Sequence, residues 1–235
     1  MLLQLGTVGV HQEPALGDFL TSPHWLVTGA TGSGKSTLVR SLLIQIREQK
    51  GIIRVADPKE SGDYSHVDAD VVVADRDAIA ELLEDTADEV LRRTNVLRAT
   101  GDDMSDEPPI VQVVEELIAL QLPRRGEDAK AARDRKERVA AAIGEIVLLG
   151  RASRVHLIAI SQRGDVEFIP GGGAVRDQFS LRIALGWMSA DGYRMVFGVG
   201  GMEPPPRLDP GFGWISGHVG HRDGPQLFIA NGAGQ

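Results

Sequence analysis

Gly29-Ala30-Thr31-Gly32-Ser33-Gly34-Lys35-Ser36 has the spacing G-x-x-x-x-G-K-S, followed by Thr37. Glycines at 29, 32 and 34 let the backbone turn tightly, so that successive N–H groups converge on one small volume. Such a cradle suits a polyanion: the positive end of a following helix adds to the donors, and Lys35 supplies a point charge for the outer phosphates. The Ser36 hydroxyl would meet a Mg2+ ion bridging those phosphates. The spacing predicts a seat for ATP with Mg2+, spread over Gly29, Ala30, Thr31, Gly32, Ser33, Gly34, Lys35, Ser36 and Thr37.

A second group that can do chemistry is Glu115-Glu116, directly after the apolar run Ile110-Val111-Gln112-Val113-Val114. Two acids at the tip of a buried strand suit phosphate-ester hydrolysis, the first (Glu115) holding Mg2+ and the second (Glu116) polarising the attacking water. The first is Glu rather than Asp, and the extra methylene moves its carboxylate outward by about one bond, which alters the metal site. Gln162, at the tip of another apolar run, can sense the outer phosphate, orient water or act as a turn residue. Asp57 and Lys59, around Pro58, either lie near the nucleotide or the subunit boundary or make a polar turn.

The elements that must hold these groups follow from periodicity. Residues 25–28 are a short apolar strand, and Leu38, Leu42, Leu43 and Ile46 form the stripe of a helix after the glycine loop. Strands are expected at 52–56, 71–74, 110–114, 155–161 and 181–185, and helices at 77–97, 126–149 and 189–197, the last capped by Ser189. Residues 1–23 read as a strand or hairpin flanking the core, and 170–176 as a flexible glycine loop carrying Arg176. Two final strands, 213–217 and 226–230, are joined through a turn at 221–224. His156, His218 and His221 lack metal-ligand spacing and read as structural.

Composition sets outer bounds. With 235 residues, 42% hydrophobic and 25% charged, the chain has the make-up of one globular domain. Its lack of cysteine excludes disulfides and thiolate metal sites. Neither a signal peptide nor an apolar run of about 18 residues is present, so a soluble, cytoplasmic chain without a membrane segment is expected. The net charge of −8 is unevenly spread: residues 57–107 hold 16 acidic and 5 basic side chains, residues 122–163 hold 10 basic and 5 acidic. The basic run fits either a surface facing nucleic-acid phosphates or a solvated helix of paired charges.

In this order the pieces resemble the motor domain of the FtsK/SpoIIIE family. The likeness rests on Pro23-His24-Trp25-Leu26-Val27 leading into the glycine loop, on Asp57-Pro58-Lys59-Glu60, and on 110–120 with its acid pair. It extends through Gly150-Arg151-Ala152-Ser153-Arg154 to Ser161-Gln162-Arg163, and through Val175-Arg176 to Leu181-Arg182-Ile183-Ala184. The resemblance implies an α/β, RecA-like P-loop fold: a mostly parallel central sheet with helices on both faces and a C-terminal β-hairpin, 1–23 as flanking strands and 24–235 as the motor. It implies ATP-driven movement of double-stranded DNA through a homo-oligomeric, hexameric ring. Lys35, Glu116, Gln162 and Arg151 would be catalytic, with Arg151 reaching a neighbouring subunit's nucleotide. Ser36 and Glu115 would hold the metal, and Arg176 would contact DNA phosphate without reading sequence.

Three departures stand out: Glu at 115, Ala152-Ser153-Arg154 after Arg151, and Gly164 after Arg163. The layout of a bare motor resembles mobile-element, conjugative or phage versions. A protein-secretion or assembly ATPase related to type VII secretion is the alternative, favoured by Glu115 and the net acidity, and a nucleotide-binding structural subunit with little turnover is a third reading.

Overall fold

His24–Gly29 forms strand β3, buried at every position, as a strand covered on both faces must be. The computed structural model describes residues 1–101, 103–206, 209–221 and 224–232. Ahead of β3 come β1 (Leu2–Val8) and β2 (Glu13–Asp18); after it come α1 (Lys35–Glu48), β4 (Ile52–Ala56), β5 (Val71–Val73) and α2 (Arg76–Thr100). The chain continues through β6 (Ile110–Val114), α3 (Leu117–Gln121), α4 (Ala129–Ser153) and β7 (Val155–Ser161). It ends with α5 (Gly172–Arg176), β8 (Leu181–Leu185), α6 (Ala190–Phe197), β9 (Phe212–Ser216) and β10 (Gln226–Ala230).

All ten strands join one sheet in the order β2-β1-β10-β9-β8-β3-β7-β6-β4-β5. From β8 to β5 every neighbouring pair is parallel. From β8 to β2 every pair is antiparallel, including the β9–β10 hairpin. The N-terminal hairpin is therefore an extension of the main sheet through β1–β10, with Leu3 and Leu5 inside the principal core. Positions 222 and 223 of the turn expected at 221–224 lie outside the described residues.

Strand side chains alternate between two cores. Val27, Val55, Val113 and Ile160 face α1, whose stripe of Leu38, Leu42, Leu43 and Ile46 is fully buried. Leu26, Ala56, Val114 and Ala159 face Leu83 and Val90 of α2 and Ile143 and Ile146 of α4. The period of two along the strands thus gives helices on both faces. No helix of the described residues is long and apolar enough to cross a membrane.

The structure shifts three expected boundaries. Asp128 caps α4, accepting from the N–H groups of Lys130 and Ala131 at 3.0 Å each, so the helix starts later than 126 and runs on to Ser153. Arg151 thereby falls in the last turn of α4 instead of after it. Residues 172–176 are the short helix α5 and not an open loop, because Gly171 and Gly172 take positive φ and leave Gly173 to Arg176 free to wind. In the basic run at 124–138 three of the seven basic side chains are paired: Arg124 meets Asp75 at 2.8 Å, Arg138 meets Glu84 at 2.5 Å, and Arg135 binds Glu127. The partners lie outside α4 and not at i,i+4 within it, and Arg125, Lys130, Arg133 and Lys136 form no ion pair among the described residues.

Under β3 lies a buried stack in which Phe19 rests on Trp25 at 4.3 Å and on His156 at 4.4 Å. His24 accepts from the N–H of Leu157 at 3.1 Å. Burial pushes His24 down to about 4 and His156 down to about 3. Both rings fold neutral, whereas the unfolded chain takes up protons near 6.5, so stability is full above 6.5 and falls as pH drops toward 4. In urea titrations His156→Phe should flatten this fall, recovering about 3 kcal/mol of the loss between pH 7 and pH 4; parallel curves for the two proteins would contradict it.

Candidate nucleotide-binding site

The glycine loop lies between the end of β3 and the start of α1, at the carboxyl edge of the parallel strands, where α/β sheets gather ligands. Gly34 takes φ of 96°, and a Cβ there would come within 2.9 Å of the Gly211 nitrogen. At Gly29 a Cβ would stand 2.4 Å from the carbonyl oxygen of Leu185. Glycine at both positions is thus dictated by space as well as by backbone angle. The loop is pinned from behind, since Gly211 donates its N–H to the Ser33 carbonyl at 2.9 Å.

Inside the loop, the Lys35 ammonium donates to the carbonyls of Gly29 at 2.7 Å and Ala30 at 2.9 Å. Burial pushes its pKa down, while Glu115 and Glu116 oppose that shift. The Ser33 hydroxyl is buried with no hydrogen-bond partner among the described residues. A buried cation, an unpartnered hydroxyl and a row of loop N–H groups make a donor set that fits a polyphosphate.

The acid pair closes the other side. Glu115 is buried at the tip of β6, and its Oε2 accepts from the Tyr64 hydroxyl at 2.6 Å. Burial raises its pKa, with Tyr64, Lys59 and Lys35 pulling the other way. Glu116 is buried too and takes φ of 54°, a left-handed backbone that is rare for a side chain with a Cβ. That turn starts α3 and swings the Glu116 carboxylate across to β7, where the Gln162 Nε2 donates to it at 3.0 Å. Lys59 reaches in from the segment after β4, with its Nζ 2.6 Å from Glu116 Oε2 and 3.9 Å from Glu115 Oε1.

Sequence spacing thus brings together Lys35, Ser36, Glu115, Glu116 and Gln162. Both readings of 57–60 hold at once: Asp57 makes the turn, accepting from the N–H of Ser61 at 3.0 Å, and Lys59 joins the acids. Tyr64 had no signal in the sequence, because it stands in a polar connection without periodicity. Among the described residues no cluster of three or more His, Asp or Glu has metal-holding geometry. Ser36 and Glu115 would therefore share Mg2+ with phosphate oxygens and water, the ordinary habit of that ion.

Two candidates lie elsewhere. Arg151 is exposed in the last turn of α4, beside the amino end of β7, the sheet edge opposite the glycine loop. Strands of this length at about 3.3 Å per residue put roughly 20 Å between Arg151 and the loop of its own chain. It lines a cavity with the exposed Leu20 and Leu148, and its guanidinium has no partner among the described residues. Arg176 ends α5 and donates to Asp177 at 3.0 Å. It borders a cleft with Arg163, Arg194, Phe168 and Met195.

Residues 1–106 match the family model described as FtsK/SpoIIIE family. Over this part the chain is similar to that family, and the match includes the glycine loop. It is 30% identical over 219 residues to a DNA translocase FtsK of Listeria monocytogenes, an alignment covering 81% of the chain and 27% of that relative. The chain spans well under half the length of the curated relatives it matches. Among solved structures, the pCW3 conjugation coupling protein TcpA with ATPγS superposes with a TM-score of 0.79 at 23% identity, over 97% of the chain and 66% of TcpA. The cytoplasmic domain of the type VII secretion ATPase EccC of Thermomonospora curvata gives 0.72 at 22% identity, over 97% and 28%. These likenesses bear out the P-loop α/β fold.

Gly32 has open space around a would-be Cβ, whereas Gly34 does not. Gly32→Ala should cost only the left-handed backbone penalty of about 1–2 kcal/mol, and Gly34→Ala distinctly more because Gly211 must also move. Thermal melts of the two variants check this, and equal losses would show that the close approach to Gly211 is not a constraint.

Proposed function

We propose that this chain is an ATP-hydrolysing motor domain that translocates double-stranded DNA as part of a homo-oligomeric, hexameric ring. The observation that carries the reading is the facing of Lys35 and the Glu115–Glu116 pair across the carboxyl edge of the sheet, with Arg151 unpartnered at the opposite edge. Relatives named DNA translocase and a structural neighbour named as a conjugation coupling protein support the choice of DNA as the substrate.

In this reading the loop N–H groups and Lys35 bind and orient the phosphates, and Ser33 supplies a further donor. Bound Mg2+ would neutralise charge on the transferring phosphoryl group. Ser36 and Glu115 would hold that ion, Glu115 being steadied by Tyr64. Glu116 polarises the attacking water, and Gln162 holds the Glu116 carboxylate in place. Arg151 cannot reach the phosphates of its own chain, so it acts on a neighbour's site and makes hydrolysis depend on the ring. Arg176, with Arg163 and Arg194 around the same cleft, provides phosphate contacts that are indifferent to base sequence.

One observation favours a second reading, a secretion or assembly ATPase acting on protein: Arg124, Arg135 and Arg138 of the basic run are already paired with acids of this chain and do not await a polyanion. A salt titration of duplex binding separates the two. A motor making several phosphate contacts loses affinity steeply with salt, and a flat response supports the protein-directed reading.

Lys35→Ala should abolish ATP hydrolysis. Arg151→Ala should lower kcat by at least about 1,000-fold while leaving ATP binding intact. Mixing the two inactive proteins should restore part of the turnover, because a Lys35→Ala subunit still offers Arg151 to its neighbour. Mixtures that stay as inactive as the separate variants would refute action across subunits.

A further inference from the structure

Glu116 stands with both carboxylate oxygens engaged. Its Oε2 receives the Lys59 ammonium at 2.6 Å and the Gln162 side-chain amide at 3.0 Å, and its Oε1 receives the Gln162 backbone N–H at 3.4 Å. A carboxylate that polarises water must turn an oxygen toward that water. Of the donors around it only Lys59 is charged, and a charge-assisted bond of this length is the strongest of the set.

We infer that Lys59 is a positioning residue that keeps Glu116 idle until its ammonium is drawn away. The inference rests on the ATPase reading above and adds a control to it. Three features let the Lys59 side chain leave while the rest of the site stays put. Its side chain is 36% exposed, so a path to water is open. The Asp57 carboxylate holds the turn beneath it, accepting from the Lys59 N–H at 3.2 Å, the Ser61 N–H at 3.0 Å and the Ser61 hydroxyl at 2.9 Å. Glu115 keeps its own partner in Tyr64, at 2.6 Å. The backbone thus remains fixed while one flexible side chain swings.

The force for the swing is electrostatic. Two ammoniums, the buried Lys35 and the partly exposed Lys59, and two buried carboxylates, Glu115 and Glu116, interact at one site. A polyphosphate seated on the glycine loop offers Lys59 a denser negative charge than Glu116 does. A divalent cation reaching Glu115 repels the same ammonium, which lies 3.9 Å from that carboxylate. The ligand to be hydrolysed therefore loosens the pair, and the fraction of sites still paired with phosphate and metal bound limits the rate of turnover.

The test uses the full chain with Lys59→Met, which keeps the stem and removes the charge, and Lys59→Arg, which restores a cation. ADP affinity is measured by calorimetry, Mn2+ uptake in the presence of ADP by electron paramagnetic resonance, and kcat and KM for ATP with and without duplex DNA. Lys59→Met should raise the DNA-free kcat about tenfold, the worth of one charge-assisted hydrogen bond, with KM little changed. It should also bind Mn2+ more tightly, since no ammonium competes near Glu115, and Lys59→Arg should bring both values back toward wild type. A lower or unchanged DNA-free kcat in Lys59→Met, or weaker Mn2+ binding, overturns the inference alone. If Lys59→Met fails to melt cooperatively, Lys59→Gln is read against the same outcomes. A wild-type chain that binds no ADP overturns the ATPase reading and the inference together.

Discussion

Three buried charges, Lys35, Glu115 and Glu116, meet at the carboxyl edge of the sheet beside the partly exposed Lys59, and none of the three is stable there alone. A buried carboxylate or ammonium costs several kcal/mol unless it is paired and hydrogen-bonded. Glu115 meets that demand with Tyr64, Glu116 with Lys59 and Gln162, and Lys35 with the loop carbonyls. The partners come from β4, β6, β7 and the β3–α1 loop, so charge balance holds only when the four strands stand in register. The same condition makes the pocket receptive, because any ligand that enters must replace the pairings it breaks.

The fold was mostly legible because its signals are local. The apolar runs of β3, β6 and β7 and the stripe of α1 each depend on neighbouring residues, and the structure follows them. Boundaries shifted where a cap competed with composition. Asp128, not Gly126, starts α4, and that choice carries Arg151 into the helix. At 170–176 three successive glycines read as a loop, yet only the first two of them take positive φ, and the third lies in helix.

The site was legible where chemistry and spacing coincide, as in Lys35 and the acid pair. It was illegible where contacts join distant parts of the chain. Tyr64 lies 51 residues from Glu115 in sequence, and no periodic pattern marks it. The basic run shows the reverse difficulty: its charges were plain, but their meaning depended on acids of α2 that pack beside it, such as Glu84, 54 residues from Arg138. A count of charges cannot tell a surface that awaits a partner from one that already has it.

The unbroken sheet has a mechanical consequence. Five strand spacings separate β3 from β2 in the order of the sheet, about 24 Å at roughly 4.8 Å each. Hydrogen bonds run across all of them, with one register shift between Gln4 and Gly6, so the outer hairpin is tied to the phosphate loop through the sheet itself.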